Sequence, residues 1–255
     1  MSFLKRSFPT VLIALALLSA WEVYCARAAV SPLVLPAPHD VLRGLWLNRA
    51  DIGSHALATL TVTATGFSLS VLVAFATSVA LYFLPWLRRG AMPLLVASQT
   101  VPIVALAPLM VLWFGFGLLP KVLLVILVTF FPMLVSLLSG YARLPLAYRD
   151  QLVSMGAGQW SVFRRATLPV ARSAFFAGLR ISATYAVVAA IFAEYSGARR
   201  GLGIYILSAK NNFRADLVLA AVVVSACLTL LLLALLHGVD RATGRRFRRD
   251  NDATG

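Results

Sequence analysis

The chain has 255 residues, of which 60% are hydrophobic and 13% charged, with a formal net charge of +14. Its mean hydropathy is +0.87. A soluble globular domain, with about a quarter of its residues charged, is excluded. So is a nucleic-acid-binding domain, because the basic residues sit between long apolar runs and not in a patch with interleaved aromatics.

Six apolar runs are long enough to cross about 30 Å of hydrocarbon, which takes roughly 17–25 helical residues. They lie near 8–26, 56–84, 92–114, 122–141, 173–193 and 217–238. The expected fold is an all-α membrane protein, with 1–255 as a single transmembrane domain and a polar loop at 142–172. The first run follows Lys5-Arg6 and ends at Ala26-Arg27-Ala28, which imitates a signal peptide with a small-residue cleavage site. An uncleaved span is the preferred reading, because the apolar stretch continues through Trp21, Val23 and Tyr24 and five more runs follow.

Pro32, Pro36 and Pro38 then break regular structure. From Asp40 the pattern turns helical, with Val41, Leu42, Leu45 and Trp46 on one face and Asp40 placed to cap the start. The spacing predicts a short helix on the outer membrane surface; an extension into the second run is the alternative. The second run is too long for a perpendicular crossing, so it tilts or starts outside the bilayer.

Early in the third run stands a polar triplet, Ser98-Gln99-Thr100. Its amide and hydroxyls suit either a small polar solute or bonds between helices. In the fifth run Arg180 and Glu194 are fourteen residues apart. That is about 21 Å along a helix, too far for direct pairing. Charges at membrane depth face a bundle interior or a wet cavity. Glu194 therefore lines an outer mouth, or pairs at the interface with Arg199 or Arg200. Arg180 snorkels to the inner surface or pairs with a neighbour.

Lys and Arg counts set the orientation. With the N-terminus in the cytoplasm, fourteen fall inside, including Arg88, Arg89, Arg164, Arg165 and the cluster at 245–249, against eight outside. The bias puts both termini in the cytoplasm. No G-x-x-x-x-G-K-[ST] is present, and the closely spaced glycines of 197–203 follow no strand, so no nucleotide site is expected. His39, His55 and His237 form no ligand pair, Cys25 and Cys227 make no framework, and no Ser, His and Asp set is suggested. Neither an enzyme, a cofactor nor a metal is expected. A secondary transporter would need an internal repeat and buried ionisable pairs, and neither is seen.

The polar island at 150–169, DQLVSMGAGQWSVFRRATLP, stands apart. Leu152, Val153 and Met155 give a first short helix an apolar surface, and Gly156 permits a turn that other residues resist. Trp160, Phe163 and Thr167 recur at three and four, Arg164 and Arg165 add charge, and Pro169 stops or bends the helix. Such an apolar and basic knob suits a groove on a soluble partner. A basic loop lying on anionic lipid is the competing reading.

The island resembles the cytoplasmic "EAA" motif of binding-protein-dependent ABC transporter permeases: E-A-A, three residues, Gly, nine residues, Ile, one residue, Leu-Pro. Asp150 falls at the acidic position, Gly156 at the glycine and Leu168-Pro169 at the Leu-Pro, while Gln151, Leu152 and Ala166 depart from it. Over roughly 8–240, Trp21-Glu22, LPAPHDVL, VPIVALAPLMVLWFGFGLLPKVLLVILVTFFP and AEYSGARRGLGIYI are similar to the nitrate/sulfonate/taurine-type group. SQTVPIVALAPL, FFPMLVSLLSG and LVSMGAGQW look most like permeases for the pyrimidine precursor of thiamine.

The resemblance implies an importer transmembrane domain of the methionine-permease type in a bacterial inner membrane. It implies two permease subunits, here a homodimer, two cytoplasmic ATPase subunits and an outer solute-binding protein. Asp150, Gly156, Trp160, Phe163, Arg164, Leu168 and Pro169 would couple to the ATPase, and Gln99, Thr100 and Glu194 would line the pathway. An ionised Glu194 facing the lumen would favour a neutral or cationic amino-heterocycle over an anion, and Gln99 would offer both donor and acceptor.

Overall fold

The computed structural model describes residues 2–27 and 31–252, and the side chains of 2–7, 10 and 244–252 lie outside that description. Ala28, the side chains of Lys5 and Arg6, and those of the basic cluster at 245–249 are therefore outside the described residues. The described residues form helices joined by short turns, without a strand. The helices are α1 (Ser2–Arg27), α2 (Pro38–Leu47), α3 (Arg49–Phe83), α4 (Pro85–Ser98), α5 (Ile103–Phe114) and α6 (Leu119–Tyr141). Then come α7 (Leu146–Ser154), α8 (Gln159–Val162), a π-helical turn (Phe163–Thr167) and α9 (Leu168–Val170). The last three are α10 (Arg172–Tyr195), α11 (Leu202–Asn211) and α12 (Ala215–Asp252). In lipid the backbone polar groups must be satisfied within the segment, which a helix does and an open strand cannot.

Among the described residues, α3, α6, α10 and the first 29 residues of α12 are each long and apolar enough to cross a membrane. The first apolar run falls within α1. The third run is not one continuous helix. It is broken into α4 and α5, bent by 100°. Pro102 permits the break: it stands at the N-cap of α5 with extended backbone (φ −64°, ψ 122°) and restricts Val101 before it. Hydropathy is a composition and does not register such a break. The second run begins further upstream than expected. Its helix, α3, has 35 residues, about 52 Å at 1.5 Å each, so part of it projects beyond the hydrocarbon.

The core is the packing of α3, α6 and α10. Lipid tails are as apolar as leucine, so these helices gain from close approach and not from escaping water. Glycines permit that approach. A Cβ on Gly66 would come within 2.6 Å of the Val125 side chain. One on Gly140 would come within 2.7 Å of Ala174, and one on Gly178 within 2.7 Å of Ser136. The Ser182 hydroxyl donates to the Thr129 carbonyl (2.9 Å) and ties α10 to α6.

A second cluster, with Val41, Ile52, Leu202, Tyr205 and Leu217, joins α2, α3, α11 and α12. In α2 the sequence reading needs correcting at two points. The N-cap is Ala37 with Pro38 in the first turn, so Asp40 does not cap and Pro38 starts the helix instead of breaking it. Val41 is buried while Leu42 and Trp46 are exposed, so the expected single apolar face is split. His39 Nδ1 lies 2.6 Å from the Glu22 carboxylate and links α2 to α1. At the other end of the bundle, Asp240 on α12 receives both Arg172 (3.1 Å) and Arg180 (3.2 Å) of α10. Of the two readings for Arg180, pairing with a neighbour is the one realised.

Candidate functional site

The basic segment folds as the expected helix, turn and helix. Helix α7 ends in a Schellman motif. Gly156 N–H donates to the Val153 carbonyl (2.9 Å) and Ala157 N–H to the Leu152 carbonyl (3.0 Å). Gly156 itself sits at φ +86°, where only glycine is unstrained. The chain then re-enters helix at Gln159. Pro169 cannot donate, so the Arg165 carbonyl loses its usual partner. The π-helical turn sits just before it, and Leu168 N–H donates to the Phe163 carbonyl instead. Pro169 is thus accommodated inside the helix and does not stop it.

The knob presents Asp150, Val153, Met155 (77% exposed), Trp160 (60% exposed), Arg164 and Arg165 to the outside. Phe163 does not belong to that surface. It is 2% exposed and packs against Tyr82, Phe83, Tyr141 and Trp160, with ring centroids 4.8–5.7 Å away. Thr167 is also buried, within 3.2 Å of the Tyr82 hydroxyl. The recurrence at 160, 163 and 167 therefore marks the face turned into the bundle. It anchors the knob on the ends of α3 and α6, and Trp160 straddles the edge. Leu168 and Pro169 are half-buried.

At the opposite end, Glu194 is fully buried. It neither lines an open mouth nor pairs with Arg199 or Arg200. Three consecutive backbone amides at the start of α11 are taken by three side chains. Gly201 N–H donates to His55 Nδ1 (3.0 Å), Leu202 N–H to Thr59 Oγ1 (2.8 Å) and Gly203 N–H to Glu194 Oε2 (2.8 Å). The Thr59 hydroxyl in turn donates to the same Glu194 oxygen (3.0 Å). Helix N-termini leave such amides without partners, and here α3 and α10 supply the acceptors. Gly201, at φ +142°, passes so close that any Cβ would collide with the Glu194 carboxylate. Thr59 stands in no sequence motif, and His55 entered only as one of three histidines that form no ligand pair. Thr59 is one hydroxyl in an apolar run, and a single chain carries no signal that it meets residue 202.

Two clefts open on the bundle. The larger, about 940 Å³, lies between α3 and the α5–α6 and α10–α11 connections, with Thr61, Phe116, Lys121, Arg199 and Arg200 on its walls. The smaller, about 320 Å³, holds Ser98 and Gln99 beside Tyr185 and Val188 of α10. Gln99 lies in the break between α4 and α5, exposed to this cleft. The Thr100 hydroxyl is turned back onto the Ala97 carbonyl (2.8 Å), and Thr100 is not among the residues around the cleft. Among the described residues no group of three or more His, Cys, Asp or Glu is placed to hold a metal.

Residues 66–249 match the family described as "Binding-protein-dependent transport system inner membrane component". Among its relatives, the chain is 34% identical over 241 residues to the formylaminopyrimidine transport permease protein ThiX of Halalkalibacterium halodurans, covering 93% of this chain and 96% of that one. It is 32% identical to the riboflavin transport system permease protein RibX of Chloroflexus aurantiacus (88% and 85% covered). It is also 32% identical to the taurine transport system permease protein TauC of Escherichia coli (88% and 84% covered). In fold it is similar to a chain of the inward-facing MetNI methionine ABC transporter, with a TM-score of 0.62 at 17% identity, covering 78% of this chain and 96% of that chain.

Proposed function

This chain belongs to the binding-protein-dependent transport system inner membrane components, the permease subunits of ABC importers, and from that premise we propose that its solute is a small nitrogen heterocycle of the aminopyrimidine class. The similarity to the formylaminopyrimidine permease, over nearly the full length of both chains, carries that choice. Gln99 supports it, as an exposed amide in a cleft with a tyrosine beside it that can donate and accept to ring nitrogens and amino groups. Glu194 has no part in selection, because it is buried, and the electrostatic case it made against anions goes with it. The second reading is an organic anion such as a sulfonate, and Lys121, Arg199 and Arg200 around the outer cleft favour it.

Power comes from outside the chain. A cytoplasmic ATPase would receive the knob of α7, Gly156 and α8 through Asp150, Met155, Trp160 and Arg165, with Arg164, Leu168 and Pro169 at its root. Phe163 would work from inside, as the joint that passes a displacement of the knob to α3 and α6. ATP then biases a two-state equilibrium of the bundle. A binding protein would deliver solute at the outer cleft, and a second copy of this chain would complete the pathway.

Uptake by the complex reconstituted with its binding protein tests the solute. Aminopyrimidine accumulation that taurine and nitrate fail to compete is the expected result. Transport of a sulfonate with no response to pyrimidines would replace it by the second reading. Sidedness has its own test, by reporter fusions. Fusions after Arg89, Arg165 and Arg246 should read cytoplasmic and those near Asn48 and Asn211 outside. An outside signal at Arg165 would remove the knob from any cytoplasmic ATPase.

A further inference from the structure

A third cleft, of about 410 Å³, opens at the end of the bundle that carries the basic segment. Its walls are apolar, formed by Phe75 of α3, Leu137 of α6, and Phe175 and Phe176 of α10, while Arg164 and Arg172 stand beside them. Two guanidinium groups, those of Arg172 and Arg180, share the one carboxylate of Asp240. Arg172 also lies over the Phe176 ring, 5.5 Å from its centroid. Arg164 has no acidic partner among the described residues. Among the described residues the three guanidinium groups of Arg164, Arg172 and Arg180 thus have one carboxylate between them, which leaves an excess of two positive charges beside an apolar recess.

That combination excludes most occupants. A free phosphate would find charge but gain nothing from walls of phenylalanine and leucine. A zwitterionic lipid would bring its own cation to a site already in excess of cations. We propose that this cleft binds an anionic phospholipid, with an acyl chain against Phe75, Leu137 and Phe175 and its phosphodiester on Arg164. Basic pockets between membrane helices take such headgroups, and each Lys or Arg near the surface contributes about five-fold in affinity. The lipid would touch Leu168 and Pro169, where the knob joins α10, so its presence would stiffen that joint. The inference goes beyond the solute reading and does not depend on it.

The test is lipid retention by the intact permease–ATPase complex, extracted from vesicles of phosphatidylglycerol mixed equally with phosphatidylcholine and weighed by native mass spectrometry. Wild type is expected to retain phosphatidylglycerol over phosphatidylcholine by roughly twenty-five-fold at most, the product of two basic residues at about five-fold each. Arg164→Gln should lower that preference about five-fold and Arg164→Lys should restore most of it. Arg89→Gln, an equal loss of charge on α4 away from the cleft, should leave it within about two-fold, as a diffuse surface charge would. Equal retention of the two lipids by wild type would overturn the proposal. So would equal effects of Arg164→Gln and Arg89→Gln, or displacement of the lipid by millimolar inorganic phosphate, which would make the occupant a free anion.

Discussion

Glu194→Ala is expected to destabilise the folded protein by roughly 2–6 kcal/mol, since two buried donors, each worth about 1–3 kcal/mol when unpaired, lose their acceptor. Those donors are Gly203 N–H and the Thr59 hydroxyl. The loss falls where α11 is fastened to α3 and α10, so that helix should loosen first. Thermal unfolding of the detergent-purified chain measures it, and protease sensitivity near residues 197–214 locates it. Glu194→Gln should fall between wild type and Ala. It keeps one oxygen for both donors but buries an amide where Oε1 has no partner. Gly201→Ala should approach Glu194→Ala in severity, because its Cβ and the Glu194 carboxylate cannot occupy the same space. An unchanged unfolding midpoint together with altered flux in Glu194→Ala would return the residue to the pathway.

The second large effect concerns the knob. Gly156→Val should insert normally, yet fail to associate productively with the ATPase and lose uptake. The physical cause is purely backbone. A Cβ at Gly156 would meet nothing within 4 Å, but the residue sits at φ +86°. Holding an ordinary L-residue left-handed costs about 1–2 kcal/mol, and a β-branched one is worse placed still. The chain escapes that strain by opening the Schellman turn, which moves Met155 relative to Trp160 across the docking surface. Gly156→Asn is the discriminating companion, since asparagine visits this conformation, and it should retain most of the activity. Copurification of the ATPase and solute uptake are the readouts. Normal values of both in Gly156→Val would mean that the turn has no part in coupling.

The helices were legible in the sequence because a membrane-spanning helix satisfies its own backbone, so a local count of apolar residues suffices to find it. The turn at Gly156 was legible for a similar reason. Its φ requirement and its two hydrogen bonds all lie within six residues of chain. The permease resemblance likewise rests on short motifs, Asp150, Gly156 and Leu168-Pro169 above all.

What only the tertiary structure decided is the direction in which each polar or aromatic side chain points, because that depends on which distant helix covers it. Glu194 reads equally well as a mouth residue or an interfacial one until Thr59 and Gly203 are brought to it from 135 and nine residues away. Phe163 reads as part of an exposed face until Tyr82 and Tyr141 close over it. Arg180 finds Asp240 sixty residues later. The 100° break between α4 and α5 belongs to the same class. Pro102 permits a bend there, but only the surrounding bundle sets its size. Composition and local geometry determine that the chain spans a membrane and where it can turn; burial and partnership are properties of the packed bundle, and no stretch of sequence carries them alone.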